Sequence, residues 1–387
     1  MPNPPKPAIV TRPVIVNRPV IAVVFGTRPE AIKMAPVIRA LKAEDRLDTV
    51  VISTGQHKQM LAQILDRFRI GVDHEMELME PDQSLYRLSS KTLAAFEAVL
   101  AATRPSLLLV QGDTTTAFLG ALGAFYGKIP VGHVEAGLRT HNKYFPFPEE
   151  INRRLITALA DLNFCPTQGN KDNLLREGIP ESTLHITGNT GIDTLLLSAG
   201  SDHPFPLPHL NLEGKRLILV TAHRRESFGE PMLEVFRAIR ELSLTYGDAE
   251  VVYPVHLNPN VQEPAREILG GLPNVHLTAP LDYFDFVQVM KRAHLILTDS
   301  GGVQEEAPTL GVPVLVLRNE TERPEAVEAG TVRLAGTRRE DIIRQARLIL
   351  DNEAERDKLR SAANPYGDGK ASPRIVRAIL RHFQLEN

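Results

Sequence analysis

A short stretch of the sequence, TDSGGVQEE at residues 298–306, combines residue types that could bind a nucleotide. Gly301 and Gly302 follow an apolar strand, and because they lack a Cβ atom they would let the backbone approach a ligand closely. The helix that follows would present unpaired N–H groups and a positive dipole end to a phosphate. A carboxylate one turn later, on Glu305 or Glu306, could accept hydrogen bonds from sugar hydroxyls. A plain glycine-rich turn with acids that complement the helix N-terminus explains the stretch equally well.

A similar turn, FGTRPEAIKMAP at residues 25–36, places an arginine beside a predicted helix N-terminus. Pro29 suits the first helical position, and Arg28 could bind a diphosphate through charge-assisted hydrogen bonds. A solvated arginine is the alternative, and Lys33 could assist Arg28 or lie on the helix surface. The spacing matches neither the phosphate-binding loop GxxxxGK(S/T) nor the fingerprint GxGxxG, so a nicotinamide cofactor is unsupported.

Three carboxylates stand at or near strand ends in the first half of the chain. Asp113 follows LLLVQG, Glu135 follows PVGHV, and Glu149 lies in FPFPEEINRR. Asp113 could be a helix N-cap, and Glu149 could pair with Arg153 one turn on, whereas Glu135 has no comparable structural role. Three carboxyl groups that converge on one cleft would suit proton transfer.

His223 ends the apolar run LILVTA, directly before two arginines. A lone histidine is most often a core residue, but a strand-end position favours a hydrogen bond to a substrate or a leaving phosphate. We find no metal-ligand motif among the twelve histidines and expect no catalytic metal.

The candidate site residues lie at or near the ends of eleven short runs rich in Val, Ile and Leu. Helix-length amphipathic segments separate these runs. Apolar strands that alternate with helices predict parallel sheets covered on both faces, the α/β class. The runs lie at residues 20–26, 49–54, 106–113, 129–136, 162–167 and 185–190, and then at 216–223, 250–256, 275–280, 295–300 and 312–318.

We predict two Rossmann-like, doubly wound domains, at residues 20–190 and 191–371, that face a central cleft. Residues 1–19 are proline-rich and predict a poorly ordered leader, not a signal peptide. A final helix over residues 372–387 is expected to pack back on the first domain. The polar clusters of both halves fall at carboxyl ends of strands, where such folds bind ligands, so a shared interdomain site is expected.

Composition excludes several classes of protein. The 387 residues, 43% of them hydrophobic, can form two cores. A net charge of −3 provides no global positive field for nucleic acid. The apolar runs are too short to span a membrane. The single cysteine, Cys165, cannot form a disulfide within the chain, which fits a reducing cytoplasm, and its apolar surroundings predict a core residue.

Eight segments together resemble the non-hydrolysing UDP-N-acetylglucosamine 2-epimerases, from about Val20 to the end of the chain. In order they are GTRPEAIKMAP, QGDTTT, PVGHVEAGLRT, PEEINRR, TAHRRESFG, YPVHLNPNV, TDSGGVQEEAP and TERPEAVEAGT. The resemblance implies a GT-B-type fold and a cytoplasmic homodimer. It also implies that the enzyme interconverts UDP-GlcNAc and UDP-ManNAc without an added cofactor and supplies ManNAc units for surface polysaccharides.

The resemblance also assigns roles to single residues. The implied catalytic residues are Asp113, Glu135, Glu149 and His223. The implied substrate-binding residues are Arg28, Lys33, Arg153, Phe286, Ser300, Gly301, Gly302, Glu306 and Arg323, with Glu306 on the ribose and Phe286 beside the uracil. Gln56 and Gln59 match a segment that binds activating UDP-GlcNAc in some bacterial members. Asp82 stands where some of those members have an arginine, which weakens the expectation of activator binding.

The implied reaction follows from the position of the proton at C2 of GlcNAc, which is adjacent to no carbonyl group. Elimination of UDP would give a 2-acetamidoglucal, and re-addition of UDP with protonation from the opposite face would complete the epimerisation. The sequence does not separate the base from the acid among the three carboxylates. A hydrolysing relative, a GT-B glycosyltransferase and a nucleotide-sugar sensor are the alternatives, and an assay with UDP-GlcNAc alone distinguishes them.

Overall fold

The computed structural model of the protein describes residues 18–55, 58–76, 78 and 83–386. Apart from its last two residues, the predicted leader lies outside these ranges. The described chain forms two parallel β-sheets, each covered by helices on both faces. The predicted α/β class with two doubly wound domains is therefore confirmed.

The first sheet has seven parallel strands in the order β3-β2-β1-β4-β5-β6-β7. The strand order changes direction between β1 and β4, which pair directly, and a crevice opens beyond the carboxyl ends of strands at such a point. The strands are β1 (Val20–Phe25), β2 (Asp48–Ser53), β3 (His74–Glu75), β4 (Leu107–Gln111), β5 (Val131–Val134), β6 (Leu162–Cys165) and β7 (Leu184–Ile186).

Apolar residues on both faces explain why this sheet is buried. In β1, Ile21, Val23 and Phe25 belong to one core cluster, whereas Ala22 and Val24 belong to the cluster on the other face. Two-sided burial is the physical reason that parallel strands are continuous apolar runs. The helices connecting these strands are α1 (Arg28–Lys42), α2 (Lys58–Phe68), α3 (Leu85–Thr103), α4 (Thr115–Tyr126), α5 (Glu149–Leu159), α6 (Gln168–Arg176) and α7 (Thr190–Ala199).

The second sheet has six parallel strands in the order β10-β9-β8-β11-β12-β13. The strands are β8 (Arg216–Thr221), β9 (Ala249–Pro254), β10 (Val275–Thr278), β11 (Leu295–Thr298), β12 (Val314–Val316) and β13 (Val332–Leu334). The helices are α8 (Glu230–Thr245), α9 (Pro259–Leu269), α10 (Tyr283–Arg292), α11 (Gly301–Glu306), α12 (Pro324–Glu328), α13 (Arg339–Leu350), α14 (Glu353–Ser361) and α15 (Ala371–His382). Within the described ranges, none of the helices combines the length and apolarity that crossing a membrane requires.

Helix α15 lies against α1, although it follows the second sheet in the chain. Its buried residues Ile375 and Ile379 belong to the same core cluster as Ile21 of β1. The carboxylate of Asp193 in α7 accepts hydrogen bonds from the N–H groups of Ala371 and Ser372, at 3.1 and 2.8 Å. These bonds satisfy two donors that the start of a helix leaves unpaired. The domain boundaries given above stay predictions.

Candidate active site

Glu135 lies just beyond β5, at the carboxyl edge of the first sheet. Lys33 of α1 places its Nζ 2.6 Å from both carboxylate oxygens of Glu135, and the side-chain amide of Gln111 also donates to Oε2. Burial lowers the pKa of Lys33, but the carboxylates of Glu135 and Glu305 together outweigh burial and raise it. Glu135 adopts a positive φ of 67°, which an L-residue adopts only when its surroundings require it.

Asp113 lies beyond the neighbouring strand, β4. Its carboxylate accepts a hydrogen bond from Arg153 of α5, and its backbone carbonyl accepts one from the side chain of Asn152 at 2.9 Å. Burial raises the pKa of Asp113, Arg153 opposes that shift, and the charge of Glu135 adds to it. An aspartate with a raised pKa takes up and releases protons closer to neutral pH than an ordinary one.

Glu149 is the first residue of α5, and its Oε2 atom is buried without a hydrogen-bond partner among the described residues. The pairing with Arg153 that we considered for Glu149 is made by Glu150 instead, at 3.4 Å. Glu150 also accepts hydrogen bonds from the N–H groups of Thr140 and His141. Glu150 therefore has the structural role, and Glu149 keeps an uncommitted carboxylate oxygen.

His223 follows β8 and lies beside Asp299, which follows β11. Asp299 Oδ2 accepts the backbone N–H groups of His223 and Arg224, at 2.6 and 2.7 Å. Its Oδ1 lies 3.4 Å from His223 Nδ1, and the His223 ring stacks on His256 at 5.4 Å. Burial lowers the pKa of His223, Asp299 opposes that shift, and His256 and Arg224 reinforce it. His223 is therefore a mostly neutral imidazole at neutral pH.

Two arginines flank the glycine turn at the start of α11. A Cβ atom on Gly301 would lie 3.4 Å from Arg323 Nη2 and 3.8 Å from Arg224 Nη2, whereas one on Gly302 would meet only Ser300 Oγ, at 4.0 Å. The start of α11, where Ser300 makes no side-chain capping hydrogen bond, thus meets two guanidinium groups. Phosphate groups bind in proteins to arrangements of this kind.

The two adjacent acids of α11 have different surroundings. Glu305 accepts hydrogen bonds from Arg323 Nε and from Asn189 Nδ2 at 2.7 Å, so it bridges the two halves of the molecule. Burial raises the pKa of Glu306 to about 8, and the charge of Glu305 adds to this shift, whereas Lys33 and the Tyr283 hydroxyl oppose it. Glu306 is therefore largely protonated at neutral pH and can donate as well as accept a hydrogen bond.

Arg28 belongs to the first half of the molecule, and Phe286 belongs to the second. Arg28 lines a crevice of about 350 Å³ together with Asp282 and Tyr283 at the start of α10. Its guanidinium has no ion-pair partner among the described residues. Phe286 is half-buried on α10 and packs against the core of the second sheet. Both residues thus lie near Tyr283, which is also an electrostatic neighbour of Glu306.

Both sheets contribute to one small cavity between the halves. Glu135 lines it from the first sheet, and Glu305 and Arg323 line it from the second. Lys33, which holds Glu135, also interacts electrostatically with Glu305 and Arg323. The structure therefore brings the acids at the edge of the first sheet together with the glycine turn of the second.

Three other side chains could hold a metal ion. Ligand atoms of His203, Asp282 and Asp285 lie within 4.8 Å of one another. However, His203 Nε2 bonds Asp285 at 2.7 Å, and Asp282 caps α10 through the N–H of Asp285. The guanidinium of Arg67 contacts the other ring nitrogen of His203, and a cation there disfavours a second one.

The predicted activator residues are only partly described. Gln56 and Asp82 lie outside the described residues, and Gln59 falls within α2 but its side chain is not described. Activator binding stays a prediction.

Sequence reasoning missed Gln111, Asn189 and Arg224 as site residues. Gln111 and Arg224 stand next to strand ends, within QGD and AHRRE, and that position is the signal that could have drawn attention to them. Asn189 gave no such signal, because its side chain also caps α7 and an asparagine before a helix is ordinarily a cap.

The family model for UDP-N-acetylglucosamine 2-epimerase matches residues 39–380. This chain is 51% identical to the UDP-N-acetylglucosamine 2-epimerase of Bacillus subtilis over 364 residues, 94% of this chain and 95% of that protein. It is 48% identical to that of Escherichia coli K12 over 372 residues, 93% of this chain and 98% of that protein. The chain belongs to the UDP-N-acetylglucosamine 2-epimerase family.

Solved structures agree with this family membership. The UDP-GlcNAc 2-epimerase of Neisseria meningitidis, bound to UDP-GlcNAc, matches with a TM-score of 0.85 and 45% identity over 94% of this chain and all of that one. The glycotransferase of kitacinnamycin, only 13% identical, matches with a TM-score of 0.63 over 96% of this chain and all of its own. That likeness concerns the fold alone, and the GT-B type expected for this epimerase is confirmed.

The pKa of Glu306 predicts how the stability of this epimerase changes with pH. Its carboxyl group titrates at about 8 when folded, against an ordinary value of 4.5 when unfolded. At pH values between these two pKa values, the unfolded chain binds fewer protons than the folded chain. The contribution of Glu306 to the free energy of unfolding therefore falls as pH rises through this range. The glutamine of Glu306→Gln cannot ionise. The free energy of unfolding of this variant should therefore rise relative to that of wild type between about pH 5 and about pH 8, by on the order of 1–3 kcal/mol.

Thermal unfolding of both proteins across this pH range measures the effect. Glu213→Gln, in the connection before β8, is the matched control, since Glu213 is exposed. A difference between Glu306→Gln and wild type that does not change with pH would contradict the raised pKa.

Proposed function

We propose that the protein reversibly epimerises UDP-N-acetylglucosamine at C2 to give UDP-N-acetylmannosamine. Family membership supports this proposal, and so does the UDP-GlcNAc-bound relative from Neisseria meningitidis. The structural observation that most directly supports the proposal is the cavity in which Glu135 faces Arg323 and Glu305. Carboxylates that can move a proton thus stand opposite cations that can hold a leaving diphosphate.

The first half-reaction is the elimination of UDP. A carboxylate, Asp113 or Glu135 with Glu149 as the third candidate, takes the proton from C2, and the electron pair of that C–H bond forms the C1=C2 double bond. The bond between C1 and the diphosphate oxygen breaks, and its electrons leave with UDP. Arg323, Arg224 and Arg28 stabilise the charge that develops on the diphosphate.

The second half-reaction reverses these steps with the opposite stereochemistry. A diphosphate oxygen attacks C1 of the 2-acetamidoglucal, and the double-bond electrons take up a proton at C2 from the other face. Two acid–base groups on different sides of the sugar are therefore needed. Asp113 and Glu135 follow adjacent strands, and the charge of Glu135 adds to the raised pKa of Asp113, which suits this division of roles.

The two cations beside the acids control their proton transfers. Lys33 holds both oxygens of Glu135, and Arg153 holds Asp113. An ordinary glutamate, with a pKa of about 4.3, is a weak base at neutral pH. Burial strengthens Asp113 as a base by raising its pKa. His223 is mostly neutral and can donate a hydrogen bond to the leaving diphosphate without adding charge.

The remaining substrate contacts divide between the parts of the nucleotide. Ser300, Gly301 and Gly302 would bind the diphosphate, Glu306 the ribose, and Phe286 the uracil. No added cofactor is required, because the proton and the electron pair that leave C2 are both returned.

We also propose a cytoplasmic location and a role in supplying ManNAc units for surface polysaccharides. The buried thiol of Cys165, whose pKa is raised to about 12 by burial, fits an unreactive core residue in a reducing compartment.

We also propose that the protein is a homodimer. Helices α3 and α4 pack together and expose Tyr86, Phe125 and Tyr126, whose exposed fractions are 90, 57 and 66%. A depression of about 960 Å³ between these helices is lined partly by apolar residues such as Leu93 and Leu100. Exposed apolar surface of this extent marks an interaction site.

Turnover in D₂O tests the mechanism. Starting from UDP-GlcNAc, the UDP-ManNAc formed should carry deuterium at C2, because the carboxylates exchange their protons with solvent before returning one. Glu135→Gln and Asp113→Asn should each lower the rate by about 10²–10⁴-fold while still binding UDP, and Glu213→Gln serves as the control. Product without deuterium would contradict elimination and re-addition, and release of free ManNAc would indicate a hydrolase.

Calorimetry with UDP tests the diphosphate site. Arg323→Ala and Arg28→Ala should each lower UDP affinity roughly 10- to 100-fold, since a charge-assisted hydrogen bond contributes roughly 1.5–3 kcal/mol. Arg333→Ala is the control, because Arg333 of β13 pairs with Glu355 at 2.9 Å and lies outside the proposed site. Unchanged affinity in both site variants would remove these arginines from the site.

Light scattering after size-exclusion chromatography tests the dimer. The double variant Phe125→Asp/Tyr126→Asp places two charges on the exposed face of α4 and should give a monomer. Leu244→Asp on α8, where Leu244 is 61% exposed, should leave a dimer intact. A wild-type protein that is monomeric at all concentrations tested would refute the proposal.

A further inference from the structure

His133 is a buried histidine that the reaction described above does not use. It lies in β5, two residues before Glu135, and its side chain is fully buried. Its Nε2 atom lies 2.7 Å from the backbone carbonyl oxygen of Gly112. A carbonyl can only accept a hydrogen bond, so Nε2 carries the proton and donates it. The pKa of His133 is lowered to about 4, chiefly by burial, so the ring is neutral at neutral pH.

Gly112 is held at both of its backbone polar groups. Its N–H donates to the carbonyl oxygen of Val134 at 2.9 Å, and its own carbonyl accepts from His133. Gly112 has a φ of 68°, a conformation that needs external contacts to be fixed because glycine has many alternatives. The end of β4 is therefore connected to the end of β5 by two hydrogen bonds.

The two proposed catalytic acids are the next residues along these strands. Asp113 follows Gly112 directly, and Glu135 follows Val134 directly. A Cβ atom on Gly112 would lie 3.8 Å from Glu135 Oε2, which shows how closely the two strand ends approach each other. A change in the orientation of the Gly112 carbonyl would thus turn the backbone of Asp113 with respect to Glu135.

We propose that His133 is a positioning residue that fixes the backbone of Asp113 relative to Glu135 through the carbonyl of Gly112. This inference rests on the proposed function, since it assigns His133 to the same proton-transfer site. The diphosphate site of the second sheet has no contact with this bond, so His133 affects turnover rather than nucleotide affinity. Misplacing a reacting group by about 1 Å can lower a rate about 10²-fold.

The surroundings of His133 separate this role from simple packing. Its Nδ1 atom has no hydrogen-bond partner among the described residues, and neither have the side-chain atoms of Asn163. Asn163 is its register partner on β6 and is also fully buried. Of the two ring nitrogens, only Nε2 is therefore bonded, and it is bonded to the strand end that carries Asp113. The charged groups that face the ring are Glu135, Arg139 and Arg153, and each interacts with it more weakly than burial does.

Three substitutions at this position test the proposal. His133→Phe keeps an aromatic ring but removes the donor. His133→Gln places an amide N–H near the position of Nε2, whereas His133→Asn places one near the position of Nδ1, too far back to reach Gly112. His185→Phe is the matched control, because His185 is a half-buried histidine of β7 in the same sheet and has no bond to the site.

Initial rates with UDP-GlcNAc, UDP affinity by calorimetry and thermal unfolding are measured for each protein. We expect His133→Phe and His133→Asn to lower kcat about 10²-fold with unchanged UDP affinity, and His133→Gln to recover most of the rate. The control His185→Phe should keep the wild-type kcat. A purely structural histidine would instead lower the unfolding temperature without this difference between the Gln and Asn variants.

Two results would overturn the proposal. One is a wild-type kcat in folded His133→Phe, and the other is an equal kcat in His133→Gln and His133→Asn. If His133→Phe does not fold, the comparison of the Gln and Asn variants decides. Wild-type protein that fails to epimerise UDP-GlcNAc would refute the proposed function itself, so the two failures are distinguishable.

Discussion

The structure depends on the neutralisation of charges that are buried between two sheets. Lys33 and Glu135 form one pair and Arg323 and Glu305 form the other, and Lys33 interacts electrostatically with the second pair as well. Burying an isolated ion costs several kcal/mol, and removing one member of a buried pair costs about 3–5 kcal/mol. Each pair lies within one half of the molecule, and Lys33 interacts across the boundary with Glu305 and Arg323, so the packing of the two sheets couples the two pairs.

Under the proposed function, these same charges determine how the site would receive a diphosphate. Arg323 is already committed to Glu305, so it alone does not provide a free cation for a ligand. Arg28 and Arg224 have no ion-pair partner among the described residues, and Arg224 lies beside Gly301. An anion that enters the site would thus meet uncompensated positive charge, while Glu305 keeps Arg323 oriented. Glu306, being largely protonated, adds little repulsion.

The sequence was sufficient for the architecture and for the edge of each sheet at which the polar residues lie. Buried parallel strands are continuous apolar runs, and eleven of the thirteen strands in the described chain had that form. The two that were missed, β3 and β13, are edge strands of two and three residues and leave too short a pattern. Sequence could not separate Glu149 from Glu150, because neighbouring helical residues point in different directions and only the fold decides which one meets Arg153.

The pairing of the two sheets continues beyond the charged groups along α12. Arg323 precedes this helix and holds Glu305, whereas Glu325, two residues on, accepts hydrogen bonds from Thr167 at 3.2 Å and from Tyr366 at 3.2 Å. Thr167 belongs to the first half of the chain and caps α6. The start of α12 thus carries Arg323, which holds Glu305, and a contact to the first half of the chain within one turn. Movement of one half relative to the other breaks the hydrogen bond between Thr167 and Glu325, and under the proposed function it would also shift Arg323, two residues away, relative to the acids of the first sheet.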